Sequence, residues 1–203
     1  MEKKRIPNYM IAVIAIIAVC ALFLIALFGS FKSTYNKIVD LDENCKTAEA
    51  NVEAAMQSRL MKIPDMVTIV EKYAGHEEKI YNAITDLSDS MDSLSTALND
   101  PNATEEDISN ADNLVSKNYH TVIALAQDVP EIQSEKLYEE LLDEIAGSAN
   151  SINYYQVKSN EAIDAYNHLI RRFPGNVIAG YYHFEVREEY QADSEAHNTS
   201  LVD

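Results

Sequence analysis

The chain has 203 residues, enough for one ordinary domain plus an anchor. Its 33 acidic residues outweigh 16 basic ones, a formal charge of −17, and the imbalance deepens past Lys32, because Lys3, Lys4, Arg5 and Lys32 precede that point and Glu2 is the single acid there. A domain so acidic is repelled by phosphate backbones, which excludes nucleic acid as an expected partner and keeps the domain off an anionic bilayer except where it is tethered.

Met10 to Phe28, MIAVIAIIAVCALFLIALF, is an uninterrupted apolar run, and nothing charged appears from Ile6 to Phe31. At about 1.5 Å per residue it crosses a hydrocarbon core of about 30 Å once its flanks are included. A cleaved signal peptide is the alternative, with Lys3-Lys4-Arg5 as its basic start, but the run is long and lacks a small-x-small cleavage site. A lipoprotein signal fits worse: Val19 is bulky where a small residue is needed before Cys20, and eight apolar residues follow the cysteine. The reading is an uncleaved single-pass membrane helix. Lys3, Lys4 and Arg5 cluster before it, while Lys32, Lys37 and Lys46 after it are spread among Asp40, Asp42 and Glu43. The counts are nearly tied, and the density next to the membrane favours a cytoplasmic N-terminus and an exoplasmic domain in the cell membrane.

The chain is poor in glycine and proline (five of each) and has no tryptophan, and its apolar residues beyond the anchor recur at helical spacing, which points to an all-α protein. Ile38, Leu41, Cys45, Ala48, Val52 and Ala55 form the seam of a first helix. Carried on, that register meets Arg59 and Lys62, while the apolar stripe slips through Met56 and Leu60 to Ile63. Pro64 removes a backbone donor and crowds the carbonyl of Leu60, and Ile63 before it is pushed from helical dihedrals. Slip and proline together predict that the chain bends or reverses between about 60 and 65.

A second helix is expected from about 65 to 98, with Ile80, Ile84, Leu87, Met91, Leu94 and Leu98 inward and a hinge allowed at Gly75. Asn99-Asp-Pro-Asn102 reads as a turn, and Thr104-Glu-Glu-Asp107 as a capping box opening a third helix to about Asp128. Ile108, Ala111, Val115, Val122 and Leu125 mark its inner face, and Pro130 stops it. The fourth helix begins near Ser134, buries Leu137, Leu141, Ile145, Ile152, Tyr155, Tyr166, Ile170 and Phe173, and ends at Phe173-Pro174-Gly175 after Arg171 and Arg172. Four such helices on short turns form an antiparallel up-and-down bundle. The expected layout is a basic segment 1–9, a transmembrane helix 10–31, a bundle 32–184, and an acidic, mobile tail 185–203. That topology brings Tyr35-Asn36 and Tyr166-Asn167 to one end, with FPGNVIAGYYHF emerging beside the bilayer.

These residues also carry a likeness. RLMKIPDMVTIVEKYAGHE, with Arg59, Ile63, Pro64, Val67, Val70, Tyr73, Ala74, His76 and Glu77, resembles a signature stretch of the LemA family of bacterial membrane proteins. Tyr166, Asn167, Ile170, Phe173 and Pro174 resemble the ending of that family's last helix, and YNKIVDL near the anchor is similar too. The resemblance implies a membrane helix followed by a four-helix bundle, with no catalytic residues to carry over. The chain departs from the family's pattern at Glu49, where a Trp is usual, at Met61-Lys62, and at His183-Phe184, where Gly-Phe is usual.

Chemical motifs are sparse. His76-Glu77 has no second histidine at 80, so the zinc-protease pattern is absent, and no histidine has a glutamate three residues before it as in di-iron bundles. The plainer reading of His76 is a surface or capping side chain. Glycines stand at 29, 75, 147, 175 and 180, too far apart for a phosphate loop. Cys45 reads as a small core residue, and Cys20, in the bilayer, cannot pair with it. Glu139, Glu140, Asp143 and Glu144 suggest a weak calcium site or, more plainly, a solvated face. Tyr154-Tyr155 and Tyr181-Tyr182 read as contact anchors, or as core residues for one of each pair. No catalytic, cofactor-binding or metal-binding residue is assigned and no cofactor is expected. The expected function is a non-catalytic scaffold or adaptor of the envelope, touching lipid through its N-terminal helix and an unnamed protein or a second copy through its bundle. A sensor binding a small ligand between helices is the other reading.

Overall fold

The computed structural model describes residues 8–74, 77–133 and 136–190, and it is all-helical among them. The helices are α1 (Asn8–Ala74), α2 (Glu78–Asn99), α3 (Glu105–Ala126), a single turn α4 (Pro130–Gln133), α5 (Lys136–Ile170) and α6 (Gly175–Tyr182). Gly75, His76, Ser134 and the region from 191 onward, on which some of the sequence expectations fall, lie outside the described residues.

The main correction concerns Pro64. The chain does not reverse between 60 and 65; α1 runs through the proline and continues to Ala74, and α2 starts at Glu78 rather than near 65. Pro64 is exposed, so its ring lies on the outer face and water can serve the carbonyl that loses its donor. The register read along the first helix also does not break. Arg59 sits on the seam as the 3,4 rhythm requires, and its charge is met from another helix. Lys62 beside it is half-buried and paired outward with Glu144 at 2.9 Å. A charge on a seam suggested the end of the helix only because its partner lies far along the chain.

Other boundaries follow local chemistry. Thr104 caps α3 by accepting from the Asp107 N–H at 3.1 Å, while the Asp107 carboxylate accepts from the Thr104 N–H at 3.0 Å. These reciprocal bonds hold the Asp107 carboxyl below its usual range. Pro130 opens the short α4, its missing N–H costing nothing at a helix start. The fourth long helix ends at Ile170, so Arg171 and Arg172 follow it, and Phe173, expected inside, is exposed, as is Leu137.

The chain divides into two compact units. The first comprises Met1–Glu43 and Ala165–Val186, and the second Asn44–Asp164 and Arg187–Asp203. In the first unit every residue from Val13 to Ser30 is exposed, although this part of α1 is apolar all round. It is the one helix among the described residues long and apolar enough to cross a membrane, and none of its apolar window is buried by the protein. Past the anchor, Ile38, Tyr166, Ile170 and Ile178 are buried, and the Tyr166 hydroxyl donates to the Glu185 carbonyl at 3.0 Å. Phe31 meets Phe173 edge-on at 6.3 Å, and Tyr35 meets Tyr182 at 4.7 Å. Tyr181 and Tyr182 are both exposed, so neither is a core residue. His183 caps α6 at φ 60°, a left-handed conformation that glycine adopts without strain.

In the second unit one apolar core joins Val52, Met56, Ile63, Met66 and Val70 of α1 to Ile80, Leu87 and Leu94 of α2, Val115 and Val122 of α3, Ile132 of α4, and Ile145 and Ile152 of α5. Cys45 is fully buried, as a small core residue should be. Helices α2 and α3 pack on each other across the short connection 100–104, and the Asn118 side chain donates to the Asp86 carbonyl at 2.9 Å.

Candidate functional site

Two polar constellations stand out in the second unit. The first is buried. The Arg59 guanidinium forms an ion pair with the Asp112 carboxylate and donates to the Ser116 hydroxyl at 2.9 Å, with both members of the pair nearly sealed from water. Asp112 belongs to the inner face of α3, in the series Ile108, Asp112, Val115, Tyr119, Val122, so each charge occupies a seam position of its own helix. Tyr119 lies close by. Its phenol is pushed well up, by burial first and then by the neighbouring Tyr138, while Arg59 acts in the opposite direction. Burial also raises the Tyr138 phenol, whose hydroxyl has no hydrogen-bond partner.

The second is a cleft of about 290 Å³ lined by Glu49 and Glu53 of α1, Glu105 and Ile108 of α3, the α2–α3 connection, and Tyr190. Tyr190, one of its walls, ends the described stretch 187–190, which has no regular secondary structure. Residues 185–190, expected to begin a free tail, are anchored. Arg187 donates through one nitrogen to both oxygens of Glu49, at 2.8 and 2.9 Å. Tyr190 is buried, and its main chain is held from both sides by one side chain: the Asn160 amide donates to the Tyr190 carbonyl at 2.8 Å, and the Asn160 oxygen accepts from the Tyr190 N–H at 2.9 Å. Arg187 and Tyr190 turn inward, while Val186, Glu188 and Glu189 between and beside them are exposed.

The cleft is electrostatically under-compensated. Burial raises the Glu53 carboxyl, and Glu49 and Glu105 add to the effect. Glu105 is likewise raised mainly by burial; its own helix-start N–H opposes this, Glu49 and Glu188 reinforce it, and Arg187 opposes it. Tyr190, among the three glutamates, has its phenol pushed far up, again by burial first. The carboxylates therefore favour a proton or a cation near them.

Sequence reasoning missed both sites. Opposite charges at seam positions of two helices were a usable signal for Arg59 and Asp112. Glu49 departs from the resembled pattern, but its partner Arg187 lies in a segment without periodicity. Glu139, Glu140, Asp143 and Glu144 are all exposed, as a solvated face would be. Among the described residues no group of three or more His, Cys, Asp or Glu side chains could hold a metal ion. Tyr154 is exposed and Tyr155 half-buried against the core, a division the sequence allowed.

Residues 48–203 match the model of the LemA family. No curated protein matches the chain. The matched region contains both constellations, and the exposed apolar helix that precedes it is consistent with membrane anchoring.

Proposed function

This chain is a member of the LemA family, and on that premise we propose that it is a single-pass membrane protein without catalytic activity, acting through protein–protein contacts as an envelope-associated scaffold or adaptor. The long helical stretches 32–74, 78–99, 105–126 and 136–170 are read as an antiparallel four-helix bundle. The N-terminus is read as cytoplasmic and the bundle as exoplasmic. Phe173, Tyr181 and Tyr182, all exposed, are then placed at the bilayer surface, where amphipathic rings are favoured.

The observation that carries this reading is the way the irregular stretch 187–190 is held. Asn160 bonds the Tyr190 main chain from both sides and Glu49 holds Arg187, which is how protein surfaces hold peptide segments. A photo-crosslinking amino acid at exposed Tyr81, Tyr154 and Val186, in the full-length protein in intact cells, tests it. Discrete adducts are expected from at least one position, and their absence at all three overturns the contact reading.

The cleft also favours a second reading, a sensor of small cationic ligands, because three glutamates converge there. Calorimetric titration of the full chain with spermidine separates the two: saturable binding supports the sensor.

A further inference from the structure

We propose that the first unit carries a binding site for the phosphate of an anionic phospholipid, built from Arg171, Arg172 and Lys32 around the ring pair of Phe31 and Phe173. The proposal rests on the reading of α1 as a membrane helix with this face at the bilayer, and it gives that face a preferred lipid.

The chain is strongly acidic, but its carboxylates are unevenly placed. The second unit holds 28 of the 33 acidic residues. No carboxylate occurs in residues 31–39 or 165–184, two stretches of the first unit that pack on each other just past the apolar span of α1. The same stretches carry Lys32, Lys37, Arg171 and Arg172, all exposed. Among the described residues none of these four pairs with a carboxylate. Asp40, the first acid along α1, stands eight residues past Lys32. That is about 12 Å of helix, more than the screening length of about 8 Å at physiological salt.

The cations gather where the apolar span ends. Phe31 follows directly on the exposed stretch 13–30, and Phe173 meets it edge-on at 6.3 Å. Lys32 adjoins the first ring in sequence, and Arg171 and Arg172 precede the second, so three cations flank one ring pair. One turn further along α1, Tyr35 meets Tyr182 at 4.7 Å, which packs α6 against the same part of α1. Helix α6 has no charged residue; it buries Gly175, Ile178 and Ala179 and turns Val177 and Tyr181 outward. Phe173, Val177 and Tyr181 thus present exposed side chains at steps of four. Water is a poor solvent for such a face, and the headgroup layer is a good one.

Continuity and charge name the occupant. The apolar span of α1 runs directly into Phe31, so the bilayer around that span continues onto the face beside it. The cations then select among headgroups. A guanidinium pairs with phosphate through two parallel N–H donors, and each cation near an anionic surface adds about fivefold in affinity. A zwitterionic headgroup brings the same phosphate together with its own ammonium, which these cations oppose. The favoured ligand is therefore a phospholipid of net negative charge, such as phosphatidylglycerol.

The test uses the full-length protein in phosphatidylcholine vesicles with trace spin-labelled phosphatidylglycerol or phosphatidylcholine. The motionally restricted fraction of each label gives its relative affinity for the protein. The wild type is expected to favour phosphatidylglycerol about tenfold, and Arg171→Gln/Arg172→Gln about twofold or less. Both arginines are exposed, so these substitutions leave the core untouched. Equal affinity for the two lipids in the wild type overturns the proposal, as does a preference unchanged in the double variant. A preference lost instead in Lys3→Gln/Lys4→Gln/Arg5→Gln overturns it too, assigning the lipid to the N-terminal cluster. Full displacement by millimolar inorganic phosphate at constant ionic strength overturns the lipid source and leaves a site for a soluble anion. A nitroxide at Val177→Cys, in a Cys20→Ser/Cys45→Ser background, separates this proposal from the reading beneath it. If oxygen relaxes the nitroxide more than a water-soluble nickel complex does, and no lipid preference is found, the proposal falls and the placement at the bilayer stands. Relaxation by nickel alone puts residue 177 in water, and that placement falls as well.

Discussion

The side-chain amide of Asn160 both donates to and accepts from the backbone of Tyr190, thirty residues away. One neutral side chain thereby fixes the position of the segment after α6. Asn160→Ala should leave the helical core intact and speed hydrogen exchange of the Tyr190 amide by about tenfold, the equivalent of one ordinary hydrogen bond. Exchange mass spectrometry reads this directly. Unchanged protection would mean that Tyr190's buried ring, not the amide, holds the segment.

Asp112→Ala should be among the most damaging single substitutions in the second unit. It leaves Arg59 charged and buried with no carboxylate to offset desolvation, a loss of about 3–5 kcal/mol. Replacing both partners together, Arg59→Met with Asp112→Leu, should restore much of that loss, because an apolar pair suits the surrounding core. Urea denaturation followed by circular dichroism measures both. A double variant no better than the single one would show that the pair is not the cause.

Glu53 and Glu105 should make the second unit respond to pH. Their carboxyls are raised in the fold above the ordinary value of 4.5, so the folded state holds their protons more tightly than the unfolded chain does. The resulting stabilisation is complete below about pH 4.5 and is lost as pH rises through the folded values. Thermal melts from pH 4 to 7 should show the wild type declining relative to Glu53→Gln/Glu105→Gln across that window. Parallel curves would contradict the assignment.

Pro64→Ala should stabilise the protein. Proline inside a helix costs about 3 kcal/mol through its missing donor and its ring clash, and Pro64 is exposed, so little packing is lost with it. A higher urea midpoint at unchanged slope is expected. A lower midpoint would mean that the proline helps to shape the chain.

Orientation is tested by labelling. In a Cys45→Ser background, Asn110→Cys places a thiol on the exposed face of α3. An impermeant maleimide should label it on intact cells if the second unit is exoplasmic. Labelling only after lysis would place the second unit in the cytoplasm.

Much of the helical layout was legible because it is written in local chemistry. The capping box at Thr104 and the apolar seam from Ile38 to Ala55 each depend on neighbours a few residues away. Pro64 misled because its local cost is real and is outweighed by packing on both sides of it, from Met56 and Ile63 to Met66 and Val70. The cleft could not be read because its parts come from Glu49, Glu53, Glu105 and Tyr190, which no window of sequence brings together. A segment without periodicity looks free until its two anchors are seen to face inward.

The buried pair of Arg59 and Asp112 also decides how two helices are aligned. A seam of Val52, Met56, Ile63, Met66 and Val70 presents much the same oily surface after a slide of one turn, about 5.4 Å, so apolar packing alone fits more than one alignment. Moved by one turn, Asp112 would face Met56 or Ile63, and both charges would be stranded in the core at a cost of several kcal/mol each. The pair therefore acts less as glue than as an index mark. It adds little to the depth of the correct arrangement and makes its nearest competitors untenable.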